Sequence, residues 1–210
     1  MNHRLLATSG LAACLALTAA ACSSSPSSSS AASPASSAAS SAGASSGTTT
    51  TTSDFGPGCA SVPKSGAGSF TGMSTAPVAT AASANPLLST LVTAVKKAGL
   101  VDTLNSASGI TVFAPDNAAF AKLPAATLAS VLANKAELTK ILTYHVASGR
   151  YTAAQLASGS PVKTLEGGTV KPADMGGTYT VNGAHVVCGN VQTANATVYI
   201  IDTVLMPLAP

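Results

Sequence analysis

Four cysteines, three histidines and seven carboxylates are the side chains in this 210-residue sequence best suited to catalysis, metal ligation or cross-linking. Asp102, Asp116, Glu137, Glu166, Asp174 and Asp202 are scattered, so no close pair divides general-acid from general-base work. His145 stands in Leu142-Thr143-Tyr144-His145-Val146. An imidazole there could act as a base, but its commoner use is a satisfied, half-buried hydrogen-bonding group. His185 alternates with Val186 and is expected at the surface. No G-x-S-x-G elbow, P-loop, H-E-x-x-H or G-x-G-x-x-G occurs. Nucleophile, base and orienter cannot be assembled from these parts, so no enzymatic activity and no cofactor are expected. Charged residues make up 8% of the chain, against about 25% in an ordinary domain. Ten Lys and Arg spread along the whole length exclude a nucleic-acid partner.

The cysteines say more. Arg4 precedes an apolar run over residues 5–21, which reads as the charged and hydrophobic parts of an export signal. The run is short, Ala-rich and broken by Thr8, Ser9, Gly10 and Thr18, which argues against a membrane-spanning helix. Cys14 and Cys22 sit where a bacterial lipoprotein signal carries its lipid-attachment cysteine. Leu11-Ala12-Ala13-Cys14 fits the Leu-small-small-Cys box better than Ala19-Ala20-Ala21-Cys22 does. Cleavage before Cys14, however, would leave residues 15–21 as an exposed apolar stub. Residues 1–21 are therefore expected to be removed and Cys22 to carry the lipid, palmitate included. The domain would then sit on the extracytoplasmic face of the cell membrane.

Residues 23–53 hold 15 Ser, 7 Ala, 5 Thr, 2 Pro and 2 Gly, with no charge and nothing apolar larger than Ala. Such a segment cannot bury enough surface to offset its ordering entropy. Together with Cys22 it is expected to form a tether of roughly 30 Å r.m.s. span, open to proteolysis that would release the domain. Thr48, Thr49, Thr50, Thr51 and Thr52 could accept O-linked sugars; a bare spacer is the alternative. Asn195-Ala196-Thr197 matches an N-glycosylation sequon, which a bacterial export signal makes uninformative.

Residues 54–210 have the size of one domain. In an exported protein its lone pair, Cys59 and Cys188, is most simply a disulfide. Free thiols or a metal site are the alternatives, but His145 and His185 stand at no recognised ligand spacing, so no metal is expected. The bridge would pin residues 54–77 onto the end of the domain, worth at most about 5 kcal/mol in the chain-entropy model.

Local signals place helices first and strands last. Asn85-Pro86 opens a helix with Leu87, Leu88, Leu91, Val92 and Val95 on one stripe, Lys96 and Lys97 in its last turn and Gly99 after it. A short amphipathic piece spans residues 100–105, and residues 110–114 read as a strand. Asp116 caps a short helix, Pro124 starts another, and Asn134 with Glu137 opens a third; Thr152 with Gln155 repeats that capping pair. Strands are expected over residues 162–165, 169–171, 178–181, 184–187 and 197–204, with Asn182-Gly183 as a hairpin turn. This order predicts an α+β domain with antiparallel strands in a β-sandwich or folded sheet.

The block Thr111-Val112-Phe113-Ala114-Pro115-Asp116-Asn117-Ala118-Ala119-Phe120 resembles the first signature of the fasciclin domain family. Tyr144-His145 matches that family's central Tyr-His pair. Val198-Tyr199-Ile200-Ile201-Asp202-Thr203-Val204-Leu205-Met206-Pro207 resembles its second signature. Within the family the chain looks like the mycobacterial surface lipoprotein and secreted antigens that carry a single such domain. The resemblance implies helices on one side of an antiparallel β-sandwich or wedge. It also implies adhesion to host-cell, matrix or neighbouring-cell surface proteins. Tyr144 and His145 are then candidates either for direct contact or for packing. A monomer is expected. An alternative function is an extracytoplasmic binding module for a small apolar ligand or lipid, held in a groove between helices and sheet.

Overall fold

The computed structural model describes residues 53–207. The export signal, Cys14, Cys22, the tether up to residue 52 and Thr48 to Thr52 lie outside the described residues. In chain order come helices α1 (Phe70–Ser74), α2 (Val78–Ala84), α3 (Ser89–Ala98) and α4 (Val101–Ser106), then strand β1 (Ile110–Pro115). Helices α5 (Asn117–Ala121), α6 (Ala125–Ala133) and α7 (Lys135–Tyr144), strand β2 (Val146–Ser148) and helix α8 (Ala153–Ala157) follow. Six strands complete the chain: β3 (Val162–Lys163), β4 (Thr169–Val170), β5 (Pro172–Asp174), β6 (Tyr179–Val181), β7 (Ala184–Gln192) and β8 (Ala196–Ile201).

The caps read from sequence form locally. Asn85 Oδ1 accepts the Leu87 N–H at 3.0 Å, and a 3-10 turn at Pro86–Leu88 leads into α3. Gly99 ends α3 at φ 75°, a left-handed conformation that costs a glycine little. Asp116 accepts the Ala119 N–H at 2.6 Å to start α5. Thr152 and Gln155 form the full reciprocal box at α8. Asn134 caps α7 through Ala136 and Glu137 N–H, but its own N–H donates to Ser130 O, so Glu137 has nothing to cap in return.

Helix α2 has no such local signal. Its first donors are taken by distant side chains: Asn195 Oδ1 accepts from Val78 N at 2.8 Å and Asn105 Oδ1 from Ala79 N at 3.0 Å. Asn195 Nδ2 meanwhile donates to Leu104 O at 2.8 Å and Ala107 O at 2.6 Å, closing the end of α4. The sequon asparagine is thus a clamp between two helices, and its amide is already in use.

One six-stranded sheet runs β2-β1-β8-β7-β6-β5, with β3-β4 as a separate pair. The pairings are antiparallel except one: β1 and β8 run parallel, from Ile110↔Ala196 to Pro115↔Ile201. A parallel pair needs a long crossover, and here everything from α5 to β7 forms it. Both strands are buried along their whole length, because each face of the sheet is covered. Ile110, Val112, Ala114, Val198 and Ile200 face the helices, in one core. Phe113, Tyr199 and Ile201 face a second core with Tyr144, Leu156, Val162 and Val181. Strand β7 carries register shifts around Cys188 and a left-handed Asn190 (φ 64°), which curl the sheet into a wedge.

At that curl Cys59 and Cys188 form a disulfide, and Phe55 pairs with Gly189. A Cβ on Gly189 would enter the Phe55 ring, so only glycine fits. Loss of the helix clamp is the sharpest test of this architecture. Asn195→Ala removes one acceptor and two well-made donor contacts, and urea unfolding is expected to show a loss of about 2–4 kcal/mol.

Candidate functional site

Tyr144 ends α7 and His145 follows it as the C-cap, so the chain turns there from the helical layer into the sheet. Both are buried, at 3% and 2% exposure. Neither presents a surface for a partner, and the contact role that was one expectation for them has no exposed atoms to act with. Each is committed to internal hydrogen bonds instead.

His145 Nε2 accepts the Leu205 N–H at 2.9 Å, so the ring proton sits on Nδ1 and is donated to Ile141 O at 2.8 Å. The His145 backbone O accepts from Phe113 N at 2.8 Å. One residue thereby joins the end of α7, strand β1 and the segment that follows β8. Burial pushes its pKa down to about 4 from the ordinary 6.5, despite the opposing hydrogen bond to Ile141.

The Tyr144 hydroxyl donates to Thr169 O at 3.0 Å and accepts from Asn182 Nδ2 at 2.9 Å. Asn182, left-handed at φ 48° in the hairpin turn, also accepts from Lys171 N at 2.8 Å. Tyr144 thus fastens the helical layer to the far end of the second core.

The two signature blocks behave alike. Thr111 Oγ1 donates to Gly149 O and accepts from Tyr151 N; Asn117 Oδ1 accepts from Thr90 N at 3.0 Å. The Tyr199 hydroxyl donates to Tyr151 O at 2.8 Å, and burial, with Tyr179 beside it, raises its pKa far above the usual phenol value. Partial burial tends to raise the Asp202 pKa. Hydrogen bonds from Lys122, the His185 backbone and Thr203 outweigh this and hold it below the ordinary carboxylate value. His185 is exposed, as expected. Among the described residues no group of three His, Cys, Asp or Glu is placed to hold a metal ion.

Between the helices and the sheet lies an apolar cavity of ≈ 70 Å³. Leu91, Val95 and Leu104 line it from the helices, and Val112, Val198 and Ile200 from the sheet. The Tyr-His turn forms part of its wall through Leu142, Thr143, His145 and Val146. This space was legible only as a generic groove. Its lining comes from helices and strands far apart in sequence, and no local pattern marks a void.

The His145 geometry fixes a pH dependence. The folded ring is neutral down to pH about 4, whereas the unfolded ring binds a proton below about pH 6.5. Its contribution to stability is therefore complete above pH 6.5 and is lost as pH falls toward 4, by about 3 kcal/mol in all. Chemical denaturation between pH 7 and 4 is expected to show that slope in the native chain and to lose it in His145→Gln. His145→Ala is expected to cost about 3 kcal/mol at pH 7, since it orphans the buried Leu205 N–H and removes the ring from the core, while Ile141 O keeps the backbone N–H of residue 145.

Residues 86–207 match the family model described as the fasciclin domain. The chain is 49% identical over 162 residues to immunogenic protein MPB70 of Mycobacterium bovis, covering 73% of this chain and 82% of that one. It is 48% identical over 162 residues to cell surface glycolipoprotein MPT83 of Mycobacterium tuberculosis, covering 73% and 72%. A cyanobacterial relative, protein sll1483 of Synechocystis, is 46% identical over 128 residues, 60% of this chain and 71% of its own. Among solved structures, a FAS1 domain pair from the insect cell adhesion molecule fasciclin I superposes with TM-score 0.56 at 20% identity. The match covers 65% of this chain and 52% of that two-domain chain, and shows a shared fold.

Proposed function

Since the chain belongs to the fasciclin-domain family, we propose that it is a lipid-anchored cell-surface protein whose single fasciclin domain mediates adhesion or surface interaction. The observation that carries this reading is the 48% identity to a relative named as a cell surface glycolipoprotein, joined to the Cys22-led tether in the sequence. In this reading the lipid on Cys22 fixes the chain to the extracytoplasmic membrane face and the tether lifts the domain outward. The domain acts by contact and not by turnover. Of the 17 charged residues only Arg4 lies before residue 54, so 17 − 1 = 16 fall in the 157 domain residues, about 10%. A surface so weakly charged suits contact through shape and hydrogen bonding more than electrostatic steering. Many copies on one membrane would sum weak contacts by multivalency. The partners fitting this are host-cell, matrix or neighbouring-cell surface proteins.

A second reading, an extracytoplasmic binding module for a small apolar ligand or lipid, is favoured by the cavity between helices and sheet.

Two measurements test the first reading. Cys22→Ala is expected to move the protein from the membrane fraction to the medium, with intact mass showing loss of the diacylglyceryl group; unchanged fractionation would remove the anchor. A deletion strain is expected to attach less well to host cells, matrix or sister cells. Unchanged attachment in all three assays would remove adhesion.

A further inference from the structure

Deepening the ligand-binding reading, and resting on it, we infer that the cavity between α2, α3, α4 and the sheet is a binding site for one unbranched acyl chain. Three observations converge on that chemistry.

The first is polarity. Six polar side chains border the cavity, and the five that are not at its edge are already satisfied within the protein. Asn85 accepts from Leu87 N and donates to Met73 Sδ; His145 is engaged at both nitrogens. Thr193 donates to Ala196 O at 2.9 Å, Thr143 to Thr139 O at 2.9 Å, and Ser83 to Ala79 O at 2.7 Å. Thr103, the other polar neighbour, stands exposed at the edge. A ligand inside is offered no hydrogen bond, and water would find too few partners to be held there. Only a hydrocarbon gains by entering.

The second is shape. Across the sheet the lining passes from Val146 on β2 through Val112 on β1 and Val198 on β8 to Val191 on β7. Three strand spacings separate β2 from β7, roughly 14 Å. On this reading the ≈ 70 Å³ space runs along the line of those residues and takes hydrocarbon in single file. It suits the reach of a medium-length acyl tail and is too narrow for a fused ring system. Its width follows from the alanines that face it, Ala79, Ala81 and Ala82 of α2 and Ala114 of β1, whose side chains are too short to close the two layers on each other.

The third is the rim. Leu165, Met175 and Met206 are the large hydrophobic side chains exposed among the described residues, and of these Leu165 alone borders the cavity. It is 47% exposed, an apolar threshold at the β2 end. Glu166 beside it pairs with Lys140 at 3.6 Å. A tail passing Leu165 would leave its polar head in water next to this ion pair.

The test uses the purified full chain carrying Cys22→Ala, so that no attached lipid competes, with benzene, dodecanoate and the lysophospholipid bearing the same tail as probes. Calorimetry is expected to show saturable, one-to-one dodecanoate binding. Ala81→Leu, which fills the cavity from α2, is expected to weaken it at least tenfold, and Leu165→Asp several-fold. Methyl NMR shifts on binding are expected at Val112, Val198 and Ile200. Should Ala81→Leu fail to fold, Leu165→Asp and the methyl shifts decide. Binding of the lysophospholipid as well identifies the tail as the recognised part; binding of dodecanoate alone identifies the free acid as the source. Benzene binding without dodecanoate binding overturns the acyl assignment but keeps the ligand reading. No binding by any probe overturns both. Dodecanoate binding unaffected by either folded variant overturns this site.

Discussion

The neutral ring of His145 donates to Ile141 O in the helix before it and accepts the amide of Leu205, 60 residues later in the chain. Its backbone carbonyl holds the middle of β1. Because the ring is buried, water cannot take its place, and its loss would strand the Leu205 N–H in an apolar interior. Helix α7, strand β1 and the segment that follows β8 therefore meet at one point. The parallel pairing of β1 with β8 depends on that junction, since the segment following β8 is held down by the same imidazole.

This arrangement explains why the family's most recognisable residues are hidden. The first signature forms a strand buried on both faces and the helix cap that follows it. The second forms its parallel partner and the strap over His145. Tyr144 and His145 sit at the transition between two cores and serve one each. The three motifs complete one another's hydrogen bonds: Phe113 N–H donates to His145 O, and Leu205 N–H donates to the His145 ring. The same close fit stops short at α2, where alanines face the sheet and leave the cavity. An alanine-rich composition thus appears in the fold as a narrow apolar space.

Much of the helical half was legible residue by residue, because caps act over three or four positions. Asn85, Asp116, Thr152 and Gly99 each do what their local sequence implies. Helix α2 was not legible, since its capping acceptors are Asn105 and Asn195, brought from elsewhere by the fold. The strand order was less legible still. The β-rich segments and the Asn182-Gly183 turn were visible, whereas the parallel β1–β8 pair, the short β2 and β5 and the curl of β7 depend on long-range pairing. The void behind His145 was legible only as an unspecified groove between helices and sheet, because a cavity's lining is the failure of distant side chains to meet.

Sequence alone determined the α+β class, the caps and the family membership, because these rest on short-range spacing and on motifs read in order. It also supplied the two cysteines that the fold brings together as Cys59 and Cys188. Tertiary structure decided which groups are available. It buried Tyr144 and His145, spent the amide of Asn195 on two helices and left an apolar cavity beside α2. The physical reason is the same in each case. A side chain's chemistry is set by its type, but its freedom to act is set by burial and by partners that only the folded chain brings within hydrogen-bonding distance.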